Sequence, residues 1–178
     1  MATIILGIAG KRGTGKTSAA TYLHDIYRFK IISFASRLKE VAEWLHPGIG
    51  HWKKEAPKLE LNGQTPREYY ISLGAHERFY DPDYWVKESG VANAIGRIAI
   101  DDVRFPNEVD YLKKLGAKVV RLNRFEKLNI YGKDLDDISE TALDDFKGFD
   151  YIVQDCRNCT MPDLKREMDI IMENMGLI

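Results

Sequence analysis

The chain has 178 residues, enough for one compact domain with a sizeable core. Its 26 basic and 27 acidic residues leave a formal net charge of −1, so it is not built to coat nucleic acid, and any anion must be held by a local cluster. No apolar run approaches the roughly 20 residues of a membrane span. The start "MATIILGIAG" lacks the basic head and small-residue cleavage site of a signal peptide, so the expected location is the cytosol.

In chain order, "IILGIA" is a continuous apolar run, as expected of a parallel strand buried on both faces. The glycines that follow lead into a helix carrying Ala19, Ala20, Leu23 and Tyr27 at helical spacing. "KIISFA" reads as a second strand. Ser36 is placed to cap the next helix, with Leu38, Val41, Ala42 and Leu45 as its apolar stripe and Lys39 off that stripe. Residues 47–63 mix Gly, Pro and Lys without a period and read as a loop. "TPRE" opens a helix: Thr65 caps, Pro66 takes the first helical position and Glu68 closes a capping box. A further helix is expected from "DPDYW" to about Ile95.

"RIAIDD" is a third strand that ends in acid, and "PNEVDYLKKLG" is a helix stopped at Gly116. "AKVVRL" is a fourth strand. Residues 125–138 are polar and lack a period. "SETALDDFKG" reads as a short helix capped by Ser139, "FDYIV" as a fifth strand, and Thr160 caps a last helix with Leu164, Met168, Ile171 and Met175 on one face. Strands alternating with helices predict an α/β fold, a three-layer sandwich around a five-stranded, mainly parallel sheet. With no repeat, linker or low-complexity tract, the expectation is one domain over 1–178.

"GKRGTGKT", Gly10 to Thr17, matches G-x-x-x-x-G-K-[ST] at every fixed position, between a strand and a helix as its mechanism demands. Gly10, Gly13 and Gly15 let the backbone, with Lys11 and Thr14, wrap around a polyphosphate. The following helix adds its positive end. Lys16 reaches the β- and γ-phosphates and Thr17 offers a hydroxyl to Mg²⁺, which makes ATP with Mg²⁺ the expected cofactor pair. The apolar strand ends in Asp101 and Asp102, where phosphate-loop enzymes place an acid near Mg²⁺; Asp102 is assigned to the metal with Thr17, and Arg104 two residues on suits a second phosphate. Lys39, Arg67 in the first turn of the "TPRE" helix, and Arg121 and Arg124 at the exit of the fourth strand supply further cations. Two anions that must exchange a phosphoryl group need such clamps.

Other chemistries find less support. The guanine-reading N-K-x-D stretch of switch GTPases is missing, and "DFKG", Asp145 to Gly148, ends a helix instead of following a strand. Cys156 and Cys159 lack the partner pair of a zinc site, and the four histidines form no metal spacing.

"GIAGKRGTGKTSAA", "FASRLKE", "TPREYYISLG", "DPDYWV", "DDVRFPNEVDYLKKLGAKVVRL" and "DISETALDDFKGFDYIV" together resemble the deoxynucleoside monophosphate kinases of the bacteriophage type, from about residue 4 to 165. The resemblance implies an adenylate-kinase-like P-loop core with an acceptor-binding insert over about 36–96 and a short lid over about 124–139. It implies transfer of the γ-phosphoryl of ATP to a deoxynucleoside 5′-monophosphate, giving ADP and the diphosphate. By motif, Lys39 and Arg67 are implied as acceptor-phosphate ligands, Asp102 and Arg104 as the strand-end acid and its arginine, and Arg124 as a lid arginine. Ser139 and Glu140 are implied to face the acceptor nucleotide, and Trp85 to pack near its base, though a core tryptophan fits that position as well. Catalysis would fall to Lys16, Arg67, Arg104 and Arg124. The partners implied are nucleotides, with no nucleic acid or membrane, in the host cytosol if the gene is viral. The resemblance points to a homodimer that no surface stripe of the sequence demands. Two alternatives stay open: a kinase of another small phosphorylated acceptor, as in phosphomevalonate kinases, and a P-loop nucleotide switch that transfers nothing.

Overall fold

The computed structural model describes residues 3–123, 138–154 and 160–176. Among them, five strands form one parallel sheet in the order β2-β3-β1-β4-β5: β1 (Ile4–Ala9), β2 (Lys30–Ile32), β3 (Arg97–Val103), β4 (Lys118–Leu122) and β5 (Tyr151–Val153). β1 lies in the middle and is apolar throughout, because a strand paired on both edges and covered on both faces meets no water. The α/β class and parallel sheet expected from the sequence are those observed.

The chain divides into two compact units, one of residues 1–32 and 93–178, the other of Ser33–Ala92. In the first, α1 (Lys16–Tyr27) buries Ala19, Ala20, Leu23 and Tyr27, the four positions its spacing predicts. α7 (Met161–Asn174) buries Leu164, Met168, Ile171 and Met172 in the same core as Leu6, Ile8, Val120 and Leu122. Asp169 of α7 accepts from the hydroxyls of Tyr22, at 2.8 Å, and Tyr27, at 2.6 Å, both on α1, so a polar clasp sits beside the apolar contact. α5 (Pro106–Lys114) starts at a proline and stops before Gly116, whose φ of 79° is left-handed.

In the second unit, α2 (Phe34–Leu45) begins three residues earlier than expected, and Ser33 rather than Ser36 precedes it. "KIISFA" therefore splits. A helix from Phe34 stacks Phe34, Leu38 and Ala42, each four residues on, one above the other on its buried face. α3 (Pro66–Tyr80) carries the predicted cap: Glu68 N–H donates to Thr65 Oγ1 at 3.1 Å, and Thr65 N–H to Glu68 Oε2 at 2.8 Å. Residues 47–63 are irregular but contain two short 3-10 turns, and Ile49 and Leu61 anchor them in a core with Ala42. The helix expected up to Ile95 is only α4 (Tyr84–Glu88). Gly90, at φ 71°, ends it, and a 3-10 turn follows at Val91–Asn93.

α6 (Ile138–Thr141) is four residues long and includes Ser139 within it, so Ser139 is not its cap. The lid expectation at 124–139 rests mostly on residues outside the described set, as do Arg124, Cys156 and Cys159. No helix is long and apolar enough to cross a membrane among the described residues.

Candidate active site

The site of the first unit is built at the carboxyl end of β1, where parallel α/β sheets place their ligands. Gly10 follows the strand at φ 150°. A Cβ there would stand 2.7 Å from Thr14 Oγ1 and 2.8 Å from Leu122 O, so only glycine lets the loop lie against β4. Gly13 and Gly15 both take positive φ, and Gly15 sets the start of α1. Thr14 is buried and ties the loop to itself, its hydroxyl donating to Lys11 O at 2.8 Å.

Lys16 is buried. Its ammonium donates to Gly10 O at 2.7 Å and Lys11 O at 2.8 Å, inside the curl of the loop. Burial lowers its pKa to about 8, and the nearby Arg104 guanidinium lowers it too. Glu140, Asp102 and Asp101 act in the opposite direction. The loop lysine, the strand acids and Arg104 thus share one electrostatic neighbourhood.

The acids owe their aim to an irregularity. β1 advances two residues from Gly7 to Ala9 while β3 advances three, from Ile100 to Val103. An extra residue in a strand bends it and re-aims its side chains. Here the extra residue falls at Asp101 and Asp102. Asp101 Oδ2 comes to 3.5 Å from Thr17 Oγ1. The sequence offers Asp101 and Asp102 as strand-end acids and the resemblance favours Asp102; the acid that reaches the Thr17 hydroxyl is Asp101. A hydroxyl and a carboxylate at the start of a phosphate-binding helix are hard oxygen donors of the kind Mg²⁺ takes. Asp102 acts electrostatically on the same lysine.

Arg104 is fixed at both ends. Its backbone N–H donates to Glu108 Oε2 at 2.6 Å, and Phe105 N–H to the same oxygen at 3.0 Å. Its Nη1 donates to Glu140 Oε1 and stands 3.4 Å from Ser139 Oγ. Glu140 Oε2 in turn accepts from the loop amide of Arg12 at 2.6 Å. Farther out, Asp144 accepts from Lys11 at 2.6 Å and from Arg121 at 2.9 Å. Burial resists its charge, but these two cations hold its carboxyl below the usual range. A cavity of about 360 Å³ adjoins Thr17 and Ser18 and is lined farther along by Tyr22, Ile26, Met161 and Lys165.

In the second unit, Lys39 is exposed on α2. Arg67 stands in the first turn of α3, its N–H donating to Lys54 O at 3.2 Å and its Nη1 3.4 Å from Glu55 Oε1. Trp85 is 2% exposed and donates its indole N–H to Gly74 O at 3.1 Å. A ring so covered offers no face to a nucleotide base, and its expected place beside the acceptor gives way to a packing role. No group of three or more potential metal ligands among His, Cys, Asp and Glu occurs among the described residues.

Sequence reasoning thus picked out Lys16, Thr17, Arg104 and the β3 acids. It missed Glu108, Asp144 and the bulge that selects Asp101. Glu108, three residues past Phe105 at a helix start, is a signal that could have been read.

No protein-family model matches the chain. A mimivirus protein (Acanthamoeba polyphaga mimivirus) named "Putative deoxynucleotide monophosphate kinase" is 29% identical over 174 residues, an overlap of 84% of this chain and 87% of that protein. An uncharacterized protein of Ictalurid herpesvirus 1 is 30% identical over 158 residues, covering 84% of this chain and 63% of that longer protein. Among solved structures, shikimate kinase from Aquifex aeolicus superposes with a TM-score of 0.60 over 98% of this chain and 99% of its own, at 14% identity. That likeness establishes the fold, the α/β fold that shikimate kinase shares, and the name of the mimivirus protein agrees with the resemblance read from the sequence.

Proposed function

We propose that this chain, which folds as small P-loop kinases do and is related to a viral protein named for deoxynucleotide monophosphate kinase activity, moves the γ-phosphoryl of ATP onto a deoxynucleoside 5′-monophosphate. The observation that carries the reading is Arg104. A guanidinium tied through Glu140 to an amide of the phosphate loop, and acting on the charge of the loop lysine, suits a protein that stabilises charge on a phosphoryl group in flight more than one that merely retains a nucleotide.

In this reading an oxygen of the acceptor's 5′-phosphate attacks the γ-phosphorus. A new P–O bond forms as the bond from the γ-phosphorus to the bridging oxygen breaks, and ADP departs with that electron pair. The acceptor oxygen is already anionic, so no residue has to remove a proton. The loop backbone and Lys16 hold the donor's phosphates, and Arg104 offsets charge that builds on the transferring group. Thr17 and Asp101, with Asp102 beside them, are the residues that would hold Mg²⁺, which when bound would neutralise donor phosphate charge. Lys39 and Arg67 of the second unit are assigned to the acceptor's phosphate, Ser139 to a contact near Arg104, and Arg124 to the closing lid. The cavity beside Thr17 and Ser18 takes the nucleoside end of the donor.

The test is an acceptor panel: ADP release from ATP and Mg²⁺ in the presence of each common nucleoside and deoxynucleoside monophosphate. Release that depends on a deoxynucleotide supports the reading. Release driven only by a phosphorylated non-nucleotide, or by no acceptor, overturns it.

A further inference from the structure

A carboxylate with 6% of its side chain exposed must be satisfied by protein groups. Glu140 meets this with both oxygens: Oε1 takes Arg104 Nη1, and Oε2 takes the Arg12 amide of the phosphate loop at 2.6 Å. The three groups are far apart in sequence, 128 residues separating Arg12 from Glu140 and 36 separating Arg104 from Glu140. One side chain therefore ties the tip of β3 to the loop that follows β1.

The electrostatics give the tie a purpose. The Arg104 guanidinium disfavours the charge on Lys16, a repulsion between two cations. Left to itself, a flexible arginine relieves that repulsion by swinging toward water. An anion placed on the far side of the guanidinium removes the incentive. Ser139 Oγ, 3.4 Å from the same Nη1, narrows its choice of direction further. The neighbouring pair Asp144 and Lys11 fastens the next part of this segment to the loop residue just before Arg12, so the segment carrying Glu140 is itself held.

We propose that Glu140 is a positioning residue that keeps the Arg104 guanidinium aimed at the phosphate-binding loop. The sequence resemblance implies a contact with the acceptor nucleotide instead. The observed carboxylate is buried and doubly engaged, and turns no open face to a second substrate. The inference rests on the kinase reading for its rate assay, and on the phosphate loop alone for its binding assay.

The test is Glu140→Gln in the full chain. Glutamine keeps an acceptor for the Arg12 amide and removes the charge that holds Arg104. The expected result is a fall in kcat of roughly 10- to 100-fold, the usual cost of loosening a group behind the reacting one, with the acceptor KM within about twofold of wild type. In an Arg104→Ala background the same substitution adds no further loss, because the two act as one unit. A raised acceptor KM with kcat preserved, or losses that add in the double variant, overturns the proposal.

Calorimetry separates this inference from the function. Wild type and E140Q bind MgADP alike. E140Q binds MgADP with aluminium fluoride, a mimic of the transferring phosphoryl group, more weakly by at least tenfold. Equal affinity for the fluoride complex overturns the inference even if no monophosphate is ever phosphorylated. Should E140Q fail to fold, Glu140→Asp keeps the charge and shortens the reach. It is expected to lose the fluoride complex in part and MgADP not at all, and unchanged affinity for both overturns the proposal.

Discussion

The Lys16 ammonium donates a hydrogen bond to Gly10 O at 2.7 Å, so the last lysine of the loop folds back onto its first glycine. The contact is possible because Gly10 takes a backbone angle closed to other residues and brings its carbonyl inward. It also removes the lysine from water, and this burial does most to bring its pKa to about 8.

That value gives a pH-dependent binding signature. Burial and Arg104 disfavour the charged form, so in the free protein Lys16 is an ammonium below about pH 8 and increasingly neutral above it. A polyphosphate favours the ammonium and raises the pKa on binding. Binding at pH 9 should therefore take up roughly one proton per nucleotide, while binding at pH 6.5 should take up almost none from this group. Calorimetry in buffers of different ionisation enthalpy measures the number directly. Equal uptake at both values would place the ammonium outside the phosphate site.

Substitutions should split the two halves of the reaction. Lys16→Ala should weaken MgATP binding and lower turnover by about 10² to 10³. Arg67→Ala should leave MgATP affinity near wild type and lower turnover through the acceptor, by a similar factor. Both should melt as cooperatively as wild type, since neither side chain fills the core. Wild-type turnover by either variant would remove it from the mechanism.

The bulge in β3 makes a prediction about the metal. Asp101→Asn should raise the Mg²⁺ concentration for half-maximal activity by about tenfold or more. Asp102→Asn, lacking the contact with Thr17, should raise it less. The measurement is a magnesium titration at saturating ATP. The reverse ranking would return the metal to Asp102, where the resemblance places it.

Much of the phosphate site is legible in the sequence itself. "GKRGTGKT" announces both its loop and its flanking strand and helix, because its glycines, lysine and threonine are each required by the same ligand. "TPRE" announces its cap for a similarly local reason. The position of Asp101 was not legible: strand alternation fails at a bulge, and the bulge depends on how β3 registers against β1. The start of α2 was misjudged because Ile31, Ile32 and Phe34 suit a strand as well as a helix face, and burial of Phe34 with Leu38 decided it. Glu140 stands out for its motif, but nothing in the sequence points to its contacts with Arg104 and the Arg12 amide. Its partners lie 36 and 128 residues away, and only the fold reveals such a pairing. Trp85 shows the same limit, since its partner Gly74 is on another helix.

The most direct test of the central claim follows the phosphorus itself. The protein is incubated with ATP labelled at the γ-phosphate, Mg²⁺ and deoxynucleoside monophosphates, and the products are separated. The account predicts that the label leaves ATP and reappears as the β-phosphate of a deoxynucleoside diphosphate, with little inorganic phosphate. Label recovered only as inorganic phosphate, whatever acceptor is present, would contradict it.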